Sequence, residues 1–153
     1  MKISTATIES PIGNLQLTAD EDSLLGVQLT AKSKLARAKT PILKEATKQF
    51  KEYFSGKRTG FSLPIVLSGT SFQIAVWDSL AGIGYGELLS YKEIAKKIGS
   101  PKAVRAVGTA LGKNKFPIVL PCHRVIASGK KLGGFTGGLK IKKQLLKLEG
   151  ASF

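Results

Sequence analysis

The spacing of apolar residues changes along the chain, and this change restricts the folds that the sequence can adopt. In residues 2–30 apolar and polar residues alternate in three short runs, KISTATIES, GNLQLTA and SLLGVQLT, which turn-forming residues separate. Alternation with a period of two predicts a three-stranded antiparallel meander. After Pro41 the stretch ILKEATKQFKEYFSG has helical spacing and ends at Gly56, which predicts one amphipathic helix.

Beyond Thr70 the spacing is helical, beginning with SFQIAVWDSLAGI. In SYKE, Ser90 is followed three residues later by Glu93, which predicts a capping box that opens a helix ending at Gly99. Ser100 then predicts the N-cap of a second helix, PKAVRAVGTALGKN, with its proline at the first helical position. Two short helices joined in this way predict a helix-turn-helix pair, although such pairs also occur in proteins that bind no DNA.

The segment between the two patterns, residues 57–70, contains Pro64 and two glycines and has no helical period. The sequence therefore predicts an α+β protein with a small N-terminal antiparallel sheet plus helix in residues 1–68. A mainly helical C-terminal lobe, residues 69–153, carries the helix-turn-helix. Because neither a signal peptide nor an apolar run of about 18 residues is evident, we expect an intracellular, cytoplasmic monomer that does not enter membranes.

The charge of the chain is strongly positive and unevenly distributed. The 24 Lys and Arg residues outnumber the 10 Asp and Glu residues, which gives a formal net charge of +14. Residues 1–70 hold 10 basic and 6 acidic side chains, whereas residues 71–153 hold 14 and 4. This balance predicts a nucleic-acid partner for the second half. Two alternatives stay open: excess lysine that only keeps a small protein soluble, and binding to an anionic membrane surface.

The chain has one cysteine, Cys122, and one histidine, His123, next to each other. No disulfide can form within the chain, and a zinc site with several Cys and His ligands is impossible, so we expect neither metal nor cofactor. The apolar run FPIVL before them predicts a buried strand with the cysteine at its end. A nucleophilic thiol needs a base or nearby positive charge, which His123 and Arg124 can supply. The plain alternative is a buried cysteine beside a surface histidine.

Several motifs occur together: VW, SYKEIA, RAVG, an Asn nine residues beyond Arg105, PCHRV, GFTGG and LEG. In this order they resemble the O6-alkylguanine-DNA alkyltransferases, also called methylated-DNA-protein-cysteine methyltransferases, over residues 70–150. Residues 1–70 match only in architecture. The resemblance implies DNA repair by direct, irreversible, single-turnover transfer of an alkyl group to Cys122. Its substrate would be O6-alkylguanine, with O4-alkylthymine left open, flipped out of double-stranded DNA.

The resemblance also implies roles for individual residues. Cys122 is similar to the alkyl acceptor, and His123 to the residue that takes its proton through a water molecule. Glu149 resembles the carboxylate that orients this imidazole. Tyr91 resembles the tyrosine that protonates guanine N3, and Arg105 the arginine that fills the gap left by the flipped nucleotide.

Asn114 resembles the hinge that joins the DNA-binding helix to the active-site segment, and Ser90 and Thr109 are similar to residues that contact DNA. Other positions resemble the walls of the guanine pocket: Val125, Phe135, Thr136 and Trp77. Two departures stand out, because the family commonly has proline at the positions of Gly84 and Lys115.

Without the resemblance, each of these residues has an ordinary structural explanation. Glu149 is then a surface residue of the last helix, Asn114 a helix C-cap, and Tyr91 a core tyrosine. Two other functions also compete. One is a lesion-binding, alkyltransferase-like module, although such proteins lack the acceptor cysteine. The other is a thiol hydrolase, which leaves the charge and the helix pair unexplained.

Overall fold

The computed structural model describes residues 2–135 and 137–153. The chain forms two compact units, which divide between Val66 and Leu67. The predicted α+β fold is confirmed, since a small sheet and one helix precede a mainly helical second unit. Within the described ranges, no helix is long and apolar enough to cross a membrane.

The first unit contains the predicted antiparallel meander, formed by β1 (Ser4–Ile8), β2 (Asn14–Ala19) and β3 (Leu24–Thr30) in sequence order. Alternate residues of β2 are buried, including Leu15 and Leu17, so one face of the sheet forms the core of this unit. The period-two pattern in the sequence therefore identified both the strands and their buried face.

One helix, α1 (Pro41–Phe54), covers this sheet. The hydroxyl of Thr40 caps it by accepting a hydrogen bond from the Leu43 N–H, and Pro41 occupies the first turn, where its missing N–H costs nothing. Its apolar stripe is fully buried: Leu43, Ala46, Phe50 and Tyr53.

The second unit is built mainly from four helices: α2 (Ser71–Leu80), α3 (Tyr91–Lys97), α4 (Val104–Gly112) and α5 (Leu139–Leu148). Helix α4 packs against both α2 and α3. Two very short strands, β4 (Leu89–Ser90) and β5 (Val125–Ile126), pair in parallel, and two 3₁₀ turns span Cys122–Arg124 and Ser128–Lys130.

The predicted capping box at the start of α3 is confirmed. The Glu93 N–H donates to the Ser90 hydroxyl and the Ser90 N–H donates to the Glu93 carboxylate, both at 3.0 Å. Gly99 ends this helix with a φ of +79°, in the left-handed region that favours glycine. These local signals define the two ends of α3.

The predicted start of α4 is wrong. The Ala103 N–H donates to the Ser100 carbonyl at 2.9 Å, which closes a tight turn through Pro101 and Lys102. The α-helix begins only at Val104, and no side chain caps it. Ser100 therefore begins the turn that leads into α4 and does not cap this helix.

The predicted strand FPIVL is also wrong, because this segment folds back on itself. The side-chain Nδ2 of Asn114 donates to the Leu120 carbonyl, and the Phe116 N–H donates to the side-chain Oδ1 of Asn114, both at 2.9 Å. Ile118, inside the loop, has a φ of +75°, which a strand residue does not adopt. The Asn114 side chain thus satisfies backbone groups that a strand would pair with a neighbour.

Candidate active site

Cys122 is the first residue of the 3₁₀ turn that follows this loop, and its N–H donates to the Leu120 carbonyl at 2.7 Å. Its side chain is 9% exposed and reaches a cavity of about 150 Å³. The other described residues that line the cavity are Tyr91, Gly108, Leu111, Gly112, Gly134 and Phe135. The protein's one thiol therefore faces a pocket between α3, α4 and residues 131–135, here called the glycine-rich loop.

The surroundings of the Cys122 thiol shift its pKa in opposite directions. Burial raises the pKa of Cys122 above its usual value, because a thiolate loses hydration there. The Asn114 side chain and the positive charge of Lys142 oppose this effect. Since the net shift is upward, formation of the thiolate needs a base.

His123, the next residue, is completely buried and is fixed by Glu149. Its Nε2 lies 2.7 Å from the Glu149 Oε2, whereas Nδ1 has no hydrogen-bond partner among the described residues. An ionised carboxylate only accepts hydrogen bonds, so Nε2 carries the hydrogen and Nδ1 carries a free electron pair. Burial lowers the pKa of His123, and Glu149 partly offsets this. The imidazole is therefore neutral at pH 7 and can accept a proton.

Glu149 lies at the C-terminal end of α5, and its carboxylate accepts hydrogen bonds from several donors. Arg124 donates from Nε at 2.8 Å and from Nη2 at 2.9 Å, and the Gly86 N–H donates at 3.3 Å. The remaining guanidinium nitrogen, Nη1 of Arg124, donates to the Ile83 carbonyl at 2.6 Å. This corrects the expectation that Arg124 adds free positive charge beside the thiol, because Glu149 neutralises it. No local pattern of residues predicts this pair.

Tyr91 opens α3 and forms part of the cavity wall. Its hydroxyl accepts a hydrogen bond from the Gly134 N–H at 3.0 Å. Gly133 has a φ of +70°, and a Cβ there would lie 2.5 Å from the Tyr91 oxygen. Glycine is thus required at this position both by the backbone and by the close approach of the tyrosine.

The predicted DNA-contacting residues of α4 lie at the surface. Arg105 and Thr109 are exposed and one helical turn apart, and the Thr109 hydroxyl donates to the Arg105 carbonyl at 3.2 Å. Further exposed basic side chains occur along the helix pair and its connections: Lys92, Lys96, Lys97, Lys102, Lys113 and Lys115. This surface is suited to a polyanion.

Two family models match the chain. One, described as 6-O-methylguanine DNA methyltransferase, DNA binding domain, matches residues 71–151, and the other, described as the ribonuclease-like domain of the same proteins, matches residues 3–67. The chain belongs to the 6-O-methylguanine DNA methyltransferase family. The resemblance inferred from the motifs is thereby confirmed, and it extends to the N-terminal unit, where the motifs gave no match.

Individual members of the family are similar to this chain over nearly the whole length of both proteins. The methylated-DNA--protein-cysteine methyltransferase of Methanosarcina acetivorans is 44% identical, over 95% of this chain and 97% of that protein. The constitutive enzyme of that name from Bacillus subtilis is 43% identical, over 96% and 95%. The crystal structure of Mycobacterium tuberculosis OGT in complex with DNA superimposes with a TM-score of 0.87 at 40% identity, covering 95% and 92% of the two chains.

Of the residues that the resemblance implies for the guanine pocket, not all line the cavity. Phe135 lines the cavity, and Thr136 lies outside the described residues. The prediction that Trp77 lines the guanine pocket is wrong. Its indole N–H donates to the Ala110 carbonyl at 2.8 Å, which places the ring in the core between α2 and α4. The Val125 side chain is buried as well, and its backbone makes the contacts at the site: its N–H donates to the Cys122 carbonyl, and its carbonyl oxygen accepts from Lys142.

Lys142 also lies against the site, since its ammonium donates to the carbonyl of Gly134, although no motif points to it. It is fully buried on α5, on the same face as Leu145 and Leu146. A lysine three and four positions before two leucines of an apolar stripe was the available signal. In the described part of the chain, no group of three or more His, Cys, Asp or Glu side chains could hold a metal ion.

Proposed function

We propose that this protein repairs DNA by transferring the alkyl group of O6-alkylguanine in duplex DNA to the sulfur of Cys122, once and irreversibly. The observation that carries the proposal is the position of the thiol. Cys122 faces a cavity that Tyr91 also lines, and the next residue, His123, is a buried imidazole held by Glu149. In a member of this family, that arrangement supplies an acceptor, a base and an acid in one site.

The base is His123. Its Nδ1 takes the proton of the Cys122 thiol through a water molecule, while Glu149 holds the imidazole and stabilises its positive charge. Glu149 is in turn fixed by Arg124, which acts as a positioning residue. The lowered pKa of His123 keeps it unprotonated, and therefore competent, at neutral pH.

The thiolate then attacks the alkyl carbon. The new S–C bond forms as the C–O6 bond breaks, and the electron pair of that bond passes to the guanine, which Tyr91 protonates at N3. Proton return from His123 restores the tyrosine, so overall the thiol hydrogen is replaced by the alkyl group and guanine gains a proton. A thioether has no polarised carbonyl for water to attack, so each molecule reacts once.

The DNA lies along the second unit, and we assign residues 69–153 as the DNA-binding and alkyltransferase domain, with residues 1–68 as the sheet-and-helix domain. Flipping the base out costs a few kcal/mol, which phosphate contacts of the basic surface offset. Arg105 fills the gap in the base stack. Ser90 and Thr109 contact the strand near it.

Asn114 acts as the hinge in this proposal, because its side chain joins the end of α4 to the loop that leads to Cys122. Movement of the helix on DNA would therefore reach the thiol through these two hydrogen bonds. The protein works as a monomer, without metal or cofactor, in the cytoplasm and on the nucleoid where its substrate is found.

A duplex with one O6-[³H-methyl]guanine tests this function. We expect one labelled methyl group per protein molecule, on the peptide that contains Cys122. Label on any other residue, or release of labelled methanol over repeated cycles, would contradict the proposal and favour a hydrolase. Tight binding of the duplex with no transfer would instead identify a lesion-binding module.

A further inference from the structure

Lys142 is a buried cation for which the proposed reaction has no role. Its side chain has no exposed surface, and its ammonium donates to the Val125 carbonyl at 2.7 Å, to the Leu132 carbonyl, and to the Gly134 carbonyl at 3.0 Å. An ammonium has three hydrogens, so all of its donors are used. The three acceptors come from two segments, the β5 strand and the glycine-rich loop.

Holding this charge inside the protein is unfavourable in itself. Burial lowers the pKa of Lys142 to about 8, which shows that the interior disfavours the ammonium. A methionine of similar length would fit the apolar stripe of α5 without that cost. The three carbonyl oxygens compensate for this cost by accepting the hydrogen bonds of the ammonium, and the carbonyl of the buried Val125 would lose this donor if Lys142 were replaced.

One of these three carbonyl groups, that of Gly134, belongs to a residue in the wall of the Cys122 cavity. Gly134 lines the cavity, and it is held from both sides, by Lys142 through its carbonyl and by the Tyr91 hydroxyl through its N–H. The Lys142 ammonium also lies 6.0 Å from the centre of the Tyr91 ring. One side chain of α5 thus fixes the loop, the β5 carbonyl and the surroundings of the proposed acid.

We propose that Lys142 is a positioning residue that holds segment 132–134 and the Val125 carbonyl as a preformed wall for the flipped base. This inference rests on the proposed function, since it takes the cavity to be the base site. Without the ammonium, the loop loses its anchor and must be ordered each time a base binds. The main effect is therefore on base binding, and the intrinsic reactivity of the thiol changes less.

The test compares Lys142→Met, Lys142→Gln and, as a matched control on the exposed face of α5, Lys143→Met. Single-turnover reaction with O6-benzylguanine gives a half-saturating concentration and a limiting rate. Alkylation by iodoacetamide, which is too small to need the wall, reports the thiol alone. For Lys142→Met we expect the half-saturating concentration to rise by roughly tenfold, the loss expected when buried carbonyl groups lose their donor.

Glutamine can donate two of the three hydrogen bonds, so we expect Lys142→Gln to restore part of the binding, and Lys143→Met to match the wild type. If Lys142→Met does not fold, the glutamine variant carries the test, with an intermediate increase expected. An unchanged half-saturating concentration in the folded variant would overturn the proposal. So would equal slowing of the benzylguanine and iodoacetamide reactions, which would place the effect on the thiol or the whole fold. Wild-type protein that takes no benzyl group would refute the proposed function itself, separately from these comparisons.

Discussion

The guanidinium of Arg124 and the carboxylate of Glu149 share two hydrogen bonds, of 2.8 Å and 2.9 Å, in the interior of the second unit. Both side chains are almost completely buried, and the same carboxylate holds His123. The three residues form a single network, in which Arg124 offsets the charge of Glu149 and Glu149 holds the imidazole. Removal of one member therefore affects both stability and chemistry.

Loss of the carboxylate should strongly destabilise the protein. Glu149→Ala leaves Arg124 as a buried, unpaired charge, so we expect the free energy of unfolding to fall by about 3–5 kcal/mol in urea titrations. Replacing both partners, as Arg124→Met with Glu149→Leu, should recover much of this loss. Glu87→Ala, at an exposed site in the same unit, is the control. If Glu149→Ala is no more destabilising than Glu87→Ala, the network does not contribute to stability as described.

His123 should act on the thiol whichever substrate delivers the alkyl group. We therefore expect His123→Ala to slow single-turnover transfer from duplex DNA and from free O6-benzylguanine by the same factor, roughly 10²–10⁴ for loss of a general base. Rates of both reactions, measured on the same preparation, check this. A loss confined to the duplex substrate would mean that His123 positions DNA and does not accept the proton.

Arg105 should behave in the opposite way, because the free base needs no extrusion from a duplex. We expect Arg105→Ala to slow repair of a duplex lesion strongly, while transfer from free O6-benzylguanine stays at the wild-type rate. Lys102→Ala removes a nearby exposed charge and controls for general electrostatic attraction. Equal impairment with the free base would show that Arg105 supports the fold or the thiolate instead.

The buried ammonium of Lys142 predicts a pH dependence of stability. Its pKa is about 8 in the folded protein against 10.5 ordinarily, so between these values the unfolded chain binds more protons. The free energy of unfolding should therefore gain a contribution that rises with pH across this window. Cys122 and Tyr91 also face the ammonium, so wild type and Lys142→Met are compared by urea titration at several pH values. Because the raised pKa of Cys122 acts in the opposite direction in both proteins, we expect the free energy of unfolding of the wild type minus that of Lys142→Met to rise with pH across this window, and a constant difference would contradict the assignment.

Local signals in the sequence predicted much of the fold. The capping box of Ser90 and Glu93 and the alternation in β2 each depend on neighbouring residues, and both were confirmed. The run FPIVL has the composition of a strand, yet Asn114, just before it, supplies hydrogen bonds that stabilise a loop. Composition alone does not show where a side-chain amide will point.

Among the residues of the candidate site, some could be identified from the sequence, whereas the contacts of others depend on the fold. The adjacent Cys122 and His123 could be identified from the sequence, because no other thiol or imidazole exists in the chain. The pairing of Arg124 with Glu149 joins residues 25 positions apart, and its geometry appears only when α5 packs against the 3₁₀ turn. Likewise, Lys142 has the periodicity of a core residue, but its carbonyl partners depend on the path of the loop.

The central claim is that Cys122 is a single-use acceptor, and intact-mass measurement after incubation with excess O6-benzylguanine tests it most directly. We predict that the wild-type protein gains one benzyl group, on Cys122, and that free guanine appears in equal amount and then stops increasing. Cys122→Ser should gain none and should still bind duplex DNA, since the basic surface is unchanged. An unchanged wild-type mass, a benzyl group on the serine variant, or guanine release beyond one equivalent would contradict the account.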